Sequence, residues 1–338
     1  MIKRHAQFQQ GLTLIELMIA MVLGLATLAG IIDIFVSSKQ MYRIQNERAQ
    51  LQENGQFAIQ FLTNKIRIAG YNGCSTRSAA SAVTNTLNSS SYLWDFNTFI
   101  QGVEATGTNI WTPSLDTSIS SPLNGSDVLT VRGIANKSTI AVTAHPDGSP
   151  PGSANIEVTD ASGLEQYDVV MVSDCLASAI FQITNSINED NIEHDTEAGT
   201  PGNASESLAK NYSGAEMMKL VTTSYFIKDN ASGVPSLYQA VFNDPPQELV
   251  EGVENMQLLY GVASNGDEAI DQYQTANAVS NWDNVKSVRV SLLLRSAEDD
   301  LTVDSPQNYL FNNISVTPTD NRLRAVYTRT ITLRNRVP

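Results

Sequence analysis

From Leu12 to Val36 the chain is a near-continuous apolar run whose charged exceptions are Glu16 and Asp33. Its 25 residues make roughly 37 Å of helix at ~1.5 Å per residue, enough to span a bilayer core of ~30 Å with some tilt. A carboxylate at the centre of such a helix costs about 2.5–3.5 kcal/mol on insertion scales. Asp33 lies near the far end and reads as a boundary acid reaching the interface. Glu16 lies near the start and either dips into the headgroups or has a partner.

The pattern changes at Ser37 but stays helical. Met41, Ile44, Leu51, Ala58, Leu62 and Ile66 recur at threes, fours and their sums, and Lys39, Arg43, Glu47, Arg48, Glu53 and Lys65 fill the other faces. This is an amphipathic continuation over residues 37–70, closed by the natural stop Gly70. The whole helix, Leu12 to about Ala69, would run on the order of 87 Å. Gly55 inside it costs about 1 kcal/mol against alanine and marks a soft point. Ala20 and Gly24, and Ala26 and Gly30, are small residues four apart that let helix backbones approach in lipid.

Beyond Gly70 the helical period is lost. Ser75 to about Pro122 reads as loop-rich, with Trp94, Phe96, Phe99 and Trp111 as anchors pinning it to a core. Strand-like runs follow at Asp127–Arg132, Thr139–Val142, Asp168–Ser173 and Ala179–Thr184, with turn chemistry over Pro146–Gly152. Asn188–Glu206 is polar and acidic and reads as a mobile loop. Val221–Ile227 and Ser236–Phe242 flank Asp229-Asn230-Ala231-Ser232-Gly233, a hairpin signal. Val253–Val262 follows. Val285–Arg295 alternates, with Val288, Val290, Leu292 and Leu294 on one face, and Ala325–Leu333 alternates again. Residues 71–338 therefore read as a β-rich domain. The fold class is α+β: a long N-terminal helix packed on antiparallel sheet, with two sub-sheets joined by the acidic loop.

Met1 to Gly11 carries Lys3 and Arg4 and no acid, which orients the run with the leader in the cytoplasm. Secretory signals put their small-residue cleavage site after the apolar region; here Gly11 precedes it, so a cut at Gly11–Leu12 would leave the run on the mature chain. Gly11-Leu12-Thr13-Leu14-Ile15-Glu16-Leu17 resembles the class III signal of type IV pilins and type II secretion pseudopilins. The resemblance implies a leader of residues 1–11, cleavage after Gly11 by a prepilin peptidase, and N-methylation of Leu12, where the family usually has Phe. It also implies a salt bridge from Glu16 to the free amino terminus of a neighbouring subunit, which in a dry bundle offsets the desolvation of both charges and sets register.

Three further stretches, Lys65–Cys74, Glu248–Gly261 and Val285–Val290 with the closing Leu333–Arg336, resemble PilW-type minor pilins. That resemblance implies a non-enzymatic subunit held in the bacterial inner membrane with its C-terminal domain in the periplasm. It would then join other minor pilins and the major pilin to prime type IV pilus assembly at the fibre tip, in a system for adhesion and twitching motility, with a large tip adhesin. A J-type pseudopilin of type II secretion has the same logic, and a membrane-anchored periplasmic binding module is the reading from another class.

The formal net charge is −14 over 338 residues, which makes direct nucleic-acid binding a poor fit. The two cysteines, Cys74 and Cys175, both lie beyond the span, in an oxidising compartment. An even count without metal spacing reads as one disulfide, against two buried thiols. The histidines are His5 in the leader, His145 in the Pro-Asp-Gly turn and His194 in the acidic loop; none has metal spacing or a nucleophile motif. Asp190, Glu193, Asp195 and Glu197, and likewise Asp267, Glu268 and Asp271, lack the spacing of a calcium loop. Both groups read as solvated acids, and no cofactor is expected.

Overall fold

The computed structural model describes residues 13–71, 83–135, 139–187, 189–196, 199–265, 269–301 and 306–334. Helix α1 runs uninterrupted from Leu14 to Arg67. Thr13 caps it: its hydroxyl accepts from the Glu16 amide at 3.3 Å, and the Glu16 carboxylate accepts from the Thr13 amide at 3.4 Å. This reciprocal pair satisfies two of the orphan donors at the helix start. At the other end Gly70 sits at φ +69°, the left-handed conformation that glycine takes without strain.

The two halves of α1 have opposite surroundings. In the second half Glu47, Leu51, Gly55, Ala58, Ile59, Leu62, Thr63 and Ile66 are buried, a stripe at threes and fours. Met41 falls outside that stripe and stays exposed, because the domain first meets the helix at Arg43, which pairs with Glu298. Gly55 is not the soft point its composition suggests. It is buried, and a Cβ there would stand 2.2 Å from the ring of Tyr327.

The stripe lies on an antiparallel sheet of β8 (Val253–Val262), β9 (Val285–Arg295) and β10 (Arg324–Thr332), with the short strand Gln272–Gln274 on the far side of β8. The alternation read along β9 holds: Val288, Val290, Leu292 and Leu294 are fully buried in one cluster with Ala58, Leu62, Ile66 and Ile331.

The second sheet is built on a 14-residue strand, β5 (Glu216–Asp229). Its first residues pair with β3 (Val169–Ser173), which pairs with β4 (Ser178–Gln182). From Leu220 its other partners are β2 (Val128–Ile134) and β6 (Pro235–Val241). The hairpin read at Asp229–Gly233 forms as expected: the Asn230 carboxamide oxygen accepts from the amides of Ser232 and Val234, and Gly233 has φ +75°. Strand β7 (Gln247–Glu251) adds to β6.

Two stretches depart from the sequence reading. The loop-rich segment carries, within residues 83–122, strands that the sequence reading did not place: β1 (Ile100–Gly107) pairs with β2 and with Ile110–Thr112. Its alternation is masked by Gly102, whose Cβ would fall 2.0 Å from the Tyr260 hydroxyl oxygen, so the strand needs glycine at that crossing. The aromatic anchors do hold the segment. Phe96 is buried, Trp94 stacks on Phe242 with ring centroids 4.7 Å apart, and Trp111 donates to the Ser126 carbonyl. Buried Arg132 adds bonds to the carbonyls of Tyr92 and Thr98.

The acidic stretch 188–206 is likewise not a solvated, mobile connector between sub-sheets. Asn191–Ile192 pairs with Ile156–Val158, and Ile192, His194 and Asn203 are buried. Its few apolar residues are spread too thinly to give a period, yet Ile192 joins a separate core with Val142, Ile156, Phe181, Tyr212 and Met217.

Candidate assembly interface

The first half of α1 is uncovered. Leu14, Ile15, Met18, Met21, Leu25, Ile31, Ile34 and Phe35 are exposed, and the most apolar window has mean hydropathy 2.4 with none of it buried in the protein. A stripe of this size on a water-soluble surface would drive association; its length and composition suit a bilayer or a bundle of like helices. Nothing stands within 4 Å of a Cβ built at Gly24 or Gly30, so this face of the chain is open to close approach by a neighbour. Glu16 lies at the start of the stripe, engaged only with Thr13 among the described residues. Gly11 and Leu12 lie outside the described residues.

The helix-bearing sheet is held by charge as well as by packing. Arg324 is buried and bidentate: it binds Glu254 at 2.7 and 3.0 Å and Asp320 at 2.6 and 3.0 Å. The Arg324 guanidinium, donating hydrogen bonds, holds the Asp320 carboxyl below the usual carboxylate range. Asp127 ties the two sheets together. One of its oxygens accepts from the Ala105 amide on β1 and the other from the Leu258 amide on β8, both at 2.9 Å. Burial outweighs these bonds and pushes its carboxyl up to about 7.

Sequence spacing gave no hint that His145 and His194 meet. They are buried with ring centroids 6.2 Å apart, edge to face. The Tyr212 amide donates to His145 Nδ1, and His194 Nε2 lies 3.1 Å from the Ala154 carbonyl. An accepting Nδ1 leaves the His145 proton on Nε2, and His194 donates from Nε2 to that carbonyl. Burial holds both below the ordinary histidine range.

Among the described residues no three His, Cys, Asp or Glu side chains are grouped to hold a metal ion. Asp190 accepts from the Ala161 amide, and Asp271 from the Ser264 amide and hydroxyl and from Asn265. Glu197, Asp267 and Glu268 lie outside the described residues, as does Cys74. Cys175 stands in the turn joining β3 to β4, with φ +70°.

A membrane-length helix whose second half is the spine of an antiparallel β domain is the plan of a pilin-like subunit. Residues 224–335 match the PilW family, described as Type IV Pilus-assembly protein W, and residues 7–32 match the prokaryotic N-terminal methylation motif. The chain is thus similar to type IV minor pilins of the PilW type, as its signal and its β segments implied. The first match runs from within β5 to just past β10, and so covers the whole helix-bearing sheet. No curated protein and no solved structure matches the chain.

Proposed function

We propose that this protein is a minor pilin that primes type IV pilus assembly and takes its place at the fibre tip with other minor pilins. It is anchored in the inner membrane by residues 12–36 with its β domain periplasmic, and is then extracted into the fibre. The observation that carries this reading is the divided helix: Leu14–Val36 is exposed on every side, whereas from Glu47 to Ile66 one face is buried against the domain. Helix packing supplies subunit affinity, and the protein does no chemistry of its own. Prepilin peptidase cuts after Gly11 and Leu12 is methylated. Contact with the major pilin runs through the N-terminal helices, and a large tip adhesin is a further partner.

In this reading Glu16 exchanges its bond to the Thr13 amide for the amino terminus of a neighbour. A charged amine is the stronger partner of a carboxylate in a dry bundle. Glu16→Gln keeps an acceptor for the helix cap and removes the charge. It should be cleaved normally and enter filaments poorly; undiminished incorporation would take the role from Glu16. Cys74 and Cys175 form one disulfide, seen as a mobility shift on reduction of the exported chain.

Mass spectrometry of the protein in purified filaments tests the whole reading. A mature chain beginning with methylated Leu12 is expected, and Met1 intact on assembled protein would overturn it.

A further inference from the structure

Strand β10 is the open edge of the helix-bearing sheet: among the described residues it pairs with β9 and with no other strand. The Leu333 amide donates to the Lys286 carbonyl, and the Ser296 amide to the Leu323 carbonyl. In an antiparallel ladder this register turns the odd-numbered main-chain groups toward β9. Val326, Thr328, Thr330 and Thr332 therefore point their N–H and C=O groups away from the sheet. The same parity shows at Arg324, whose amide donates outward to the Gln307 side chain.

Beside this edge lies an open groove of about 380 Å³ between the end of α1 and β10, lined by Thr63, Arg67, Arg329, Thr330, Thr332 and Arg334 among others. All three arginines are exposed. Among the described residues none of them has a carboxylate partner, in a chain whose formal net charge is −14. Acidic side chains elsewhere do pair with arginine, at Glu298, Glu254 and Asp320. Three guanidinium groups without a carboxylate among the described residues, beside a strand edge likewise unpaired among them, suit an occupant that brings both carboxylates and a free backbone.

We propose that the β10 edge receives an extended acidic segment of another polypeptide, which adds as a strand and sets its carboxylates against Arg67, Arg329 and Arg334. Main-chain bonds supply affinity in strand addition and side chains supply selectivity. A second copy of this chain is a poor occupant. Full antiparallel overlap of Val326–Thr332 with itself puts Arg329 opposite its own copy, and like charges directly opposed are destabilising. The inference concerns the β domain alone, and its failure leaves the pilin reading standing.

The test uses the full chain in detergent micelles and a fluorescent ten-residue peptide alternating Val and Glu, which places its carboxylates on one face. Binding is followed by anisotropy, and backbone protection by hydrogen exchange. The peptide should bind and protect the amides of Val326, Thr328, Thr330 and Thr332. Arg67→Gln with Arg329→Gln, both on the surface and checked for folding by circular dichroism, should weaken binding about tenfold or more, since one such change in affinity is ~1.4 kcal/mol. A peptide N-methylated at its pairing amides should lose binding, as should a Val–Lys peptide. No binding, equal binding of the N-methylated peptide, or protection at another strand would each overturn the proposal.

Discussion

The Tyr327 ring fills the space that a side chain at Gly55 would need. Ring carbons of Tyr327 lie 2.2–2.5 Å from the ideal Cβ position of residue 55, and the Tyr327 hydroxyl donates to the Leu51 carbonyl one turn earlier at 3.3 Å. The helix is notched at Gly55 so that β10 can lie close against it. Helix propensity alone would favour alanine by about 1 kcal/mol, but overpacking a well-filled site costs about 1–3 kcal/mol. Gly55→Ala should therefore lower the stability of the β domain in denaturant titration. Adding Tyr327→Ala should recover part of that loss, which non-interacting sites would not do.

Arg324 neutralises two carboxylates that would otherwise face each other. Arg324→Met should cost about 3–5 kcal/mol, the range for leaving a buried charge without its partner. Arg324→Lys should restore little, because a lysine cannot make two bidentate contacts. The low folded value of Asp320 also sets a pH window. Its contribution is complete above the unfolded aspartate value of about 3.9 and is lost as pH falls through the folded value. Acid unfolding followed by circular dichroism should show that loss below about pH 4, and Asp320→Asn should remove it.

His145 and His194 titrate in the opposite sense to a salt-bridged histidine. Both are held below the ordinary range by burial, so below about pH 6.5 the unfolded chain binds protons that the folded chain refuses. The lobe that contains them should lose stability as pH falls from about 7 to 5. The melting temperature of His145→Asn with His194→Asn should fall less steeply over that interval.

Asp127 works against the histidines. Its carboxyl is pushed up to about 7, so between about 4 and 7 the folded chain keeps a proton that the unfolded chain has released. Its contribution to stability declines as pH rises through that window. Asp127→Ala should abolish the decline while leaving the Ala105 and Leu258 amides buried without an acceptor, at about 1–3 kcal/mol each. Melting curves across that pH range separate the two effects.

The helix and its sheet were legible because their signals are local and strong. Leu12–Val36 is long, apolar and nearly uncharged, and Val288, Val290, Leu292 and Leu294 keep a strict period of two. The signal around Gly11 and the Glu248–Gly261 segment pointed to the family that the comparisons match. What was not legible depends on contacts between distant residues. Gly102 reads as a loop residue until Tyr260 is seen crossing it, and Gly55 reads as a weakness until Tyr327 occupies the notch. His145 and His194 are 49 positions apart in sequence, and nothing in their spacing foretells that two loops carry them into one core.

One long strand is shared by two parts of the domain. β5 gives its first residues to β3 and its later ones to β2 and β6, and the family match begins at residue 224, within that strand. The separate core around Val142, Ile156, Phe181 and Met217 lies wholly before residue 224, outside the matched segment.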